Sequence, residues 1–421
     1  MDKPNAKKGY TAAIAMTALA VAVWGFAFRL YSNLLPEFWA VFELSQSKAA
    51  IARPVVVAGY ILMALPAAFV SRNLGYKIGM LFGLGLFAVG MFLVFPALHQ
   101  HSLGFYLFSA TVVGAGLAIL EVTAIPLFVF LGRKRRAVQR TVMASALSPL
   151  GGFLALYLGP HFLHSSANAA PSVSDLVALF STVGAVSIGL AFLMELTHYP
   201  AIARARVAPD DRTLASFGPP LRQKSFRLAL AACLVMPLSQ SIVSGFAWPL
   251  SRAVMPSLSG MGAHQVVMWV YLAVSAGRLL IPLAMNWIAP MRLVVVCAIA
   301  SAILAAITAL SSGPVAVAGI ILTAFCGAIL FPAVFANALM DMDKMAKSGA
   351  AMLMLVSFCG NGFISVTMLL LQPLTLTPQI LGMVMILPVI GYAGATALAL
   401  AIRRAKVSPS SPSAAIANKN C

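Results

Sequence analysis

Long apolar stretches separated by short polar segments dominate the chain. A helix crosses the hydrocarbon core of a bilayer in about 20 apolar residues, and the hydropathy pattern divides into segments of that length. The pattern therefore predicts an all-α membrane protein with twelve transmembrane helices, spans 1 to 12. Their predicted bounds are 11–35, 49–70, 78–97, 103–131, 141–162, 175–195, 228–254, 264–288, 293–311, 315–340, 348–371 and 380–402.

The composition supports a membrane protein. Of the 421 residues, 61% are apolar and 9% are charged, and the mean hydropathy is +0.95. Soluble domains carry roughly 25% charged residues, so an ordinary soluble enzyme, a disordered chain and a secreted disulfide scaffold are excluded. The five cysteines show no paired spacing, and the phosphate-binding pattern GxxxxGK[ST] does not occur. We therefore expect no enzymatic activity, no cofactor and no metal site.

The basic residues are distributed unevenly between the two sides of the predicted bundle. The chain has 28 Lys and Arg against 10 Asp and Glu, a net charge of +18. If the N-terminus is cytoplasmic, nearly all of these cations fall in cytoplasmic segments, and only Lys48 and Arg252 lie on the other side. This is the positive-inside pattern, so the charge requires no nucleic-acid partner. It predicts a multi-pass protein of the inner membrane with both termini in the cytoplasm.

A long polar segment divides the twelve spans into six and six. We predict an N-terminal half at 1–195, a cytoplasmic linker at 196–227, a C-terminal half at 228–406 and a disordered cytoplasmic tail at 407–421. We also expect the chain to be a monomer surrounded by the lipid bilayer.

The two halves repeat each other in sequence. Residues 59–62 in span 2 resemble residues 277–280 in span 8, and residues 116–120 in span 4 resemble residues 327–330 in span 10. Repeats at corresponding positions of two six-helix halves are typical of major facilitator transporters, whose binding site lies between the halves near the bilayer midplane. The pattern favours that fold.

Glu121 differs from the other acidic residues because it lies deep within the apolar segment of span 4. An ionisable group in that position costs several kcal/mol unless it faces a cavity, is paired or is neutralised. Burial favours the protonated carboxyl, which suits a group that takes up and releases a proton. The alternative is a structural carboxyl bound to a neighbouring helix.

Two arginines lie within or near the spans of the first half. Arg29 is in span 1, and Arg53 is at the start of span 2. A buried guanidinium stays charged and needs a counter-ion from the protein or from a substrate. The alternatives to substrate binding are a structural salt bridge between Arg29 and Glu121, and an Arg53 side chain that extends to the outer rim of the membrane.

The remaining candidate residues are polar or aromatic side chains that would face a central cavity, and cations at the cytoplasmic end. The hydrogen-bonding candidates are Tyr31, Ser32, Asn33, Ser145, Ser148, Gln240, Ser241, Ser244, Asn337 and Asn361. The aromatic candidates are Trp24, Trp248, Trp269 and Phe331. The gate candidates are Arg72 and Lys77, in a degraded form of the major facilitator motif between spans 2 and 3, and Arg278, which is expected to anchor the inner gate.

The chain resembles the fucose–galactose–glucose:proton symporter family of major facilitator transporters. The resemblance is carried by residues 34–38, 59–60, 66–77, 116–126, 277–278, 289–290 and 331–335. It covers nearly the whole chain apart from the linker and the tail. It implies alternating access and symport of a small polar solute, a sugar, with protons. It also implies that Glu121 matches the family's proton- and substrate-binding glutamate.

The chain departs from this family at several matching positions. Ser32 stands where the family has an aspartate, Arg29 where it has an amide and Arg53 where it has a glutamine. Ser145 and Ser148 replace amides of span 5. These replacements favour a substrate with a carboxylate or another anionic group. Three alternatives for transport therefore stay open: a sugar, an organic anion or metal-chelating (siderophore-like) carboxylate, and the export of drugs or metabolites. A different kind of function, that of a membrane scaffold that transports nothing, is the further hypothesis.

Overall fold

The computed structural model describes residues 3–33, 62–163, 172–204, 218–342, 345–371 and 377–407, and these are almost entirely α-helical. Eleven of the helices are long and apolar enough to cross a membrane. They correspond to the predicted spans 1 and 3 to 12, and the described part of span 2 is the helix Ala64–Leu74. The remainder of predicted span 2 lies outside the described residues, as do most of the linker and the tail. The prediction of an all-α, multi-pass membrane protein is confirmed.

The helices match the predicted spans in order, and several extend past the apolar bounds. Spans 1 to 6 comprise Lys3–Asn33, Ala64–Leu74, Tyr76–Phe92 with Val94–His99, Leu103–Phe130, Ala137–Ser145 with Leu147–Leu163, and Val173–Leu196. Spans 7 to 12 comprise Lys224–Gly245 with Ala247–Val254, Gly260–Leu280, Pro290–Leu310, Gly313–Gly327 with Leu330–Leu339, Ala346–Leu371, and Pro378–Val407. Short helices at Ala201–Arg204 and Gly218–Arg222 lie in the predicted linker, and 3₁₀ turns at Lys134–Arg136 and Ile281–Asn286 flank spans 5 and 8. Span 1 begins before residue 11 because helical hydrogen bonding continues into polar flanking residues that hydropathy does not register.

Serine side chains cap the starts of three spans. Ser102 and Ser259 each accept a hydrogen bond from the backbone N–H three residues further on, at the starts of spans 4 and 8. Ser172 and Asp175 form a reciprocal capping box at the start of span 6. These bonds satisfy N–H groups that lack an intrahelical acceptor, so Asp175 has a structural role.

Span 4 is the most enclosed of the eleven spans that the structure describes over their full apolar length. Over its central apolar stretch 94% of the residues are buried, against 33–39% in spans 1, 6, 8 and 12. Other spans expose large apolar side chains such as Phe192 and Leu310, as expected for helices that border lipid. Span 4 therefore places Glu121 inside the protein and away from the hydrocarbon.

Spans 1 and 5 approach each other closely through glycines. A Cβ atom on Gly25 would collide with the backbone carbonyl of Ser148, and a Cβ atom on Gly151 would collide with that of Ala22. Small residues allow this close approach of helix backbones in membranes. The contact fixes the position of the face of span 1 that carries Arg29.

The variant Gly25→Val is expected to lower the melting temperature of the purified protein by several degrees, because the added side chain must push spans 1 and 5 apart. Overpacking of this kind costs about 1–3 kcal/mol. The matched control is Gly189→Val, since Gly189 lies on an exposed face of span 6 and a Cβ atom there meets nothing within 4 Å. Thermal unfolding in detergent measures both variants. Equal melting temperatures would contradict the close packing.

The two halves meet at the end of the bundle that carries the arginine-rich residues 133–136, here called the basic end. Gln139 Nε2 donates to the carbonyl of Pro282 at 3.0 Å. The Lys347 ammonium lies 5.2 Å from the centroid of the Tyr76 ring, within the range of a cation–π interaction. The first contact joins span 5 of the first half to the 3₁₀ turn after span 8. The second contact joins span 3 of the first half to span 11 of the second half.

The two predicted gate cations of the first half also lie near the basic end. Lys77 Nζ is 3.1 Å from Glu195 Oε2 and donates to the Glu195 main-chain carbonyl at 2.8 Å. This contact joins spans 3 and 6 within the first half. Arg72 is buried in the last turn of the described part of span 2. A gating role for these two residues stays a prediction.

Candidate functional site

A cavity of about 770 Å³ lies between the two halves. Its walls come from spans 1, 4 and 5 of the first half and from spans 7, 8, 10 and 11 of the second. Small-molecule sites typically have volumes of about 300–1,000 Å³ and a few polar groups set in an apolar lining. The size and position of the cavity suit a small solute bound between the halves.

The cavity brings together most of the residues that the sequence analysis selected. From the first half it is lined by Trp24, Arg29, Glu121, Ser145 and Ser148. From the second half it is lined by Gln240, Ser241, Ser244, Trp248, Arg278, Phe331 and Asn361. Charged, neutral polar and aromatic side chains therefore share one lining.

Glu121 reaches the cavity from the middle of span 4. Its side chain is 7% exposed and forms part of the lining. The guanidinium of Arg278, on span 8 of the opposite half, interacts electrostatically with Glu121. The protonation state of a carboxylate in such a place depends on burial and on the charges near it. Glu121 is therefore positioned to respond to charges that enter the cavity.

Arg278 connects spans 5, 8 and 10. Its Nη1 donates to the carbonyl of Ser145 at 2.8 Å, and its Nε donates to the carbonyl of Ala328 at 3.0 Å. Both acceptors lie where a span is interrupted, since Ser145 ends the first helix of span 5 and Ala328 follows the first helix of span 10. A helix break leaves backbone carbonyls without intrahelical N–H donors, and the guanidinium of Arg278 donates to two of these carbonyls instead. The structure places Arg278 in the cavity lining, and its expected gate role stays a prediction.

Arg29 lies against an aromatic ring of the opposite half. Its guanidinium carbon is 4.2 Å from the centroid of the Tyr271 ring, a distance typical of cation–π contacts. Gly152 of span 5 makes room for this ring, because a Cβ atom there would lie 2.9 Å from a Tyr271 ring carbon. The contact therefore depends on residues from spans 1, 5 and 8.

Neutral hydrogen-bonding groups form part of the second-half wall. The Tyr392 hydroxyl donates to Gln240 Oε1 at 3.0 Å, and the Ser241 hydroxyl donates to Asn361 Oδ1 at 2.7 Å. Within the part of the chain that the structure describes, Gln240 Nε2 has no acceptor. Because Tyr392 occupies the amide oxygen, the amide nitrogen stays available as a donor to a solute.

The variant Tyr392→Phe is expected to raise the KM for the transported solute about threefold to tenfold with little change in maximal rate. The lost hydrogen bond is worth about 0.5–1.5 kcal/mol, and without it the Gln240 amide can rotate. Concentration dependence of uptake into liposomes measures this split. Tyr157→Phe, at an exposed position of span 5, is the control. If both variants had the same KM, the inference that Tyr392 positions the Gln240 amide for the solute would be contradicted.

The structure places other candidates away from the cavity lining. The Tyr31 ring stacks on Tyr106 with a centroid separation of 5.9 Å and meets Phe180 edge-on, because that face of span 1 points toward spans 4 and 6. Asn337 is buried in span 10 but is not part of the lining, and Trp269 is exposed on span 8. Hydropathy identifies a span but not the direction in which each side chain points. The side chains of Ser32 and Asn33, and all of Arg53, lie outside the described residues.

Two polar residues of the lining on span 8 are not among the residues predicted from the sequence. Tyr271 carries the Arg29 contact, and His264 Nε2 lies 3.2 Å from the carbonyl of Leu156 on span 5. His264, Tyr271 and Arg278 follow one another at intervals of seven residues. That spacing puts them on one face of a helix, a signal that was present in the sequence.

Comparison with known proteins supports the resemblance. No protein-family model matches the chain. An L-fucose-proton symporter of Haemophilus influenzae is 36% identical over 137 residues, which are 32% of each chain. A glucose/galactose transporter of Brucella abortus is 24% identical over 355 residues, 83% of this chain and 85% of that protein. The crystal structure of the Escherichia coli fucose:proton symporter covers 94% of this chain and 99% of its own, with a TM-score of 0.80 and 20% identity.

The fold is that of the major facilitator transporters. The structural match establishes the fold, and the eleven described spans agree with it. Within that class, the chain is similar to the fucose–galactose–glucose:proton symporters. The resemblance inferred from the sequence is thereby confirmed.

Proposed function

We propose that this chain is a symporter that moves a sugar together with protons across the inner membrane by alternating access. The observation that carries the proposal is Glu121, a buried carboxylate in the lining of a cavity between the two halves. The names of the relatives, a fucose-proton symporter and a glucose/galactose transporter, supply the solute class. The cavity volume of about 770 Å³ accommodates a solute of that size.

The aromatic and amide side chains of the lining provide the contacts that a sugar requires. Trp24, Trp248 and Phe331 line the cavity, and aromatic side chains can pack against the C–H side of a sugar ring. Gln240 and Asn361 offer amide groups to its hydroxyls. A site built to hydrogen-bond hydroxyls discriminates against solutes that lack them, because its polar groups are then left unpaired.

The proton acts through the attraction between the halves. Glu121 belongs to the first half and Arg278 to the second, and their charges interact. Protonation of the carboxyl removes this attraction across the cavity. The relative position of the two halves therefore depends on whether Glu121 carries a proton, which is the link that alternating access requires.

The orientation in the membrane follows from the distribution of the cations. Residues 133–136 are exposed at the basic end, and the positive-inside rule places such a cluster in the cytoplasm. Both termini then lie in the cytoplasm as well. Apolar side chains exposed around the bundle suit a lipid boundary, which fits a chain that works as a monomer.

Uptake into liposomes tests the proposal. The full chain is reconstituted, and labelled L-fucose, galactose and glucose are offered at acidic external pH with a more alkaline interior. At least one sugar should accumulate above its external concentration, and a protonophore should abolish that accumulation. Liposomes without protein are the control. Failure of folded protein to move any of the three sugars would overturn the sugar assignment, and accumulation that survives the protonophore would overturn the proton coupling.

A further inference from the structure

We infer that the cavity selects an acidic sugar, a hydroxylated solute with one carboxylate, over the corresponding neutral sugar. This inference rests on the proposed function and names the substrate class of the same site. The observation behind it is the guanidinium of Arg29, which lies on the Tyr271 ring in a cavity whose other wall carries neutral amides and hydroxyls.

The cavity lining carries more positive than negative charge. Arg29 and Arg278 both line it, and Glu121 is the acidic residue among them. The described lining holds no other Lys, Arg, Asp or Glu. Two guanidinium charges thus stand against one carboxylate. Charges in a site with low-dielectric walls act on a ligand more strongly than charges at an exposed surface, so this lining favours an anion over a neutral solute.

The ring contact determines how Arg29 can bind an anion. The Arg29 guanidinium carbon lies over the Tyr271 ring, 4.2 Å from the ring centroid. The N–H groups of a guanidinium lie in its plane, and their fork matches the two oxygens of a carboxylate. A carboxylate can therefore bind at the edge of the guanidinium while the ring contact stays in place. Gly152 allows the Tyr271 ring to take this position, because a glycine has no side chain in the space that the ring occupies.

The part of the opposite wall that spans 7 and 11 form suits hydroxyl groups and not a second charge. Spans 7 and 11 contribute three neutral polar side chains to the lining of the same cavity, those of Gln240, Ser241 and Asn361. They offer hydrogen-bond donors and acceptors without net charge. The two walls together fit a solute with a carboxylate at one end and hydroxyls at the other.

The same charges couple the carboxylate of the solute to the proton. When Glu121 takes up a proton, the described residues of the lining hold two positive charges and no negative charge. The carboxylate of the solute then offsets one of them. By linkage, anion binding favours protonation of Glu121 and protonation favours anion binding to the same extent. A neutral sugar offers no such compensation. With one proton per cycle, the acidic sugar crosses the membrane without net charge.

Binding to the purified full chain tests the selectivity, with galacturonate against galactose and glucuronate against glucose as the probes. In at least one pair the acidic sugar should bind about tenfold tighter or more, as expected for a charge-assisted hydrogen-bonded contact. Arg29→Gln should remove this difference in Kd within each pair. Arg29→Lys keeps the positive charge but lacks the paired N–H groups of the guanidinium, so it should retain part of the preference for the acidic sugar. Arg292→Gln, at an exposed position of span 9, should change nothing.

The outcomes separate this inference from the proposed function. If the neutral sugar binds as tightly as its acidic partner in both pairs, the selectivity is overturned and sugar symport stands. If natively folded protein binds none of the four probes, both are overturned. Folding of the Arg29 variants is checked by their melting temperatures, and Arg29→Lys is used if Arg29→Gln is unstable.

Uptake at an imposed membrane potential gives an independent result. A potassium diffusion potential that is negative inside should accelerate entry of galactose with a proton, because that cycle moves positive charge inward. It should not accelerate entry of galacturonate with a proton. Equal acceleration of both solutes would overturn the charge-balanced coupling.

Discussion

Replacement of Glu121 by Gln is expected to reduce pH-gradient-driven accumulation of solute to the level of liposomes without protein. The amide has the shape of the carboxyl and can donate and accept hydrogen bonds, but it cannot take up a proton at physiological pH. Solute exchange between the two sides at equal pH should continue, because the halves can still move around bound solute. Counterflow of labelled solute measures the exchange, and uptake under an imposed pH gradient measures the accumulation.

The same substitution at another acid provides the control. Glu195 is 64% exposed at the end of span 6, where it pairs with Lys77 at 3.1 Å. Exposed ion pairs contribute about 0–1 kcal/mol, so Glu195→Gln should accumulate solute like the wild type. If Glu121→Gln also accumulated solute normally, the proton would have to be carried by another group, and the coupling role of Glu121 would be wrong.

Replacement of Arg278 by Gln is expected to have the second-largest effect, on both stability and transport. The change removes two hydrogen bonds from a charged donor, to the carbonyls of Ser145 and Ala328. Each is worth about 1.5–3 kcal/mol, so the melting temperature should fall markedly. It also removes the cation that interacts with Glu121 across the halves, so uptake driven by a pH gradient should fall even at temperatures where the variant is folded.

Conservative and distant variants separate these two effects. Arg278→Lys keeps the cation but loses the fork that reaches both carbonyls, so it should be destabilised and yet keep part of its pH dependence. Arg292→Gln removes an exposed arginine and should leave both properties unchanged. A folded Arg278→Gln variant with the transport rate and pH dependence of the wild type would contradict the proposed link between Arg278 and Glu121.

The architecture could be predicted from the sequence because membrane insertion acts on local properties. Each span must supply enough consecutive apolar residues by itself, and the cations beside it mark its orientation. The same reasoning identified Glu121, since a carboxylate is costly in an apolar span unless the protein gives it a site. Its position in the cavity lining agrees with that argument.

The partners of the site residues could not be predicted in the same way, because they depend on how helices rotate and pack. The contact of Arg29 with the Tyr271 ring is one that the sequence does not predict, and the proposed pairing of Arg29 with Glu121 stays a prediction. Tyr31 was expected in the cavity and instead packs on Tyr106. The sequence also does not predict that the breaks in spans 5 and 10 bring their carbonyls to the Arg278 guanidinium. None of these contacts joins residues that are close in the sequence.

The central claim is that solute and proton cross together through the cavity between the halves. The most direct test records external pH in a weakly buffered suspension of proteoliposomes when the best-transported sugar is added without an imposed gradient. We predict that the medium becomes more alkaline in proportion to the solute taken up, and that Glu121→Gln abolishes this change. Solute uptake by the wild type with no movement of protons would contradict the claim.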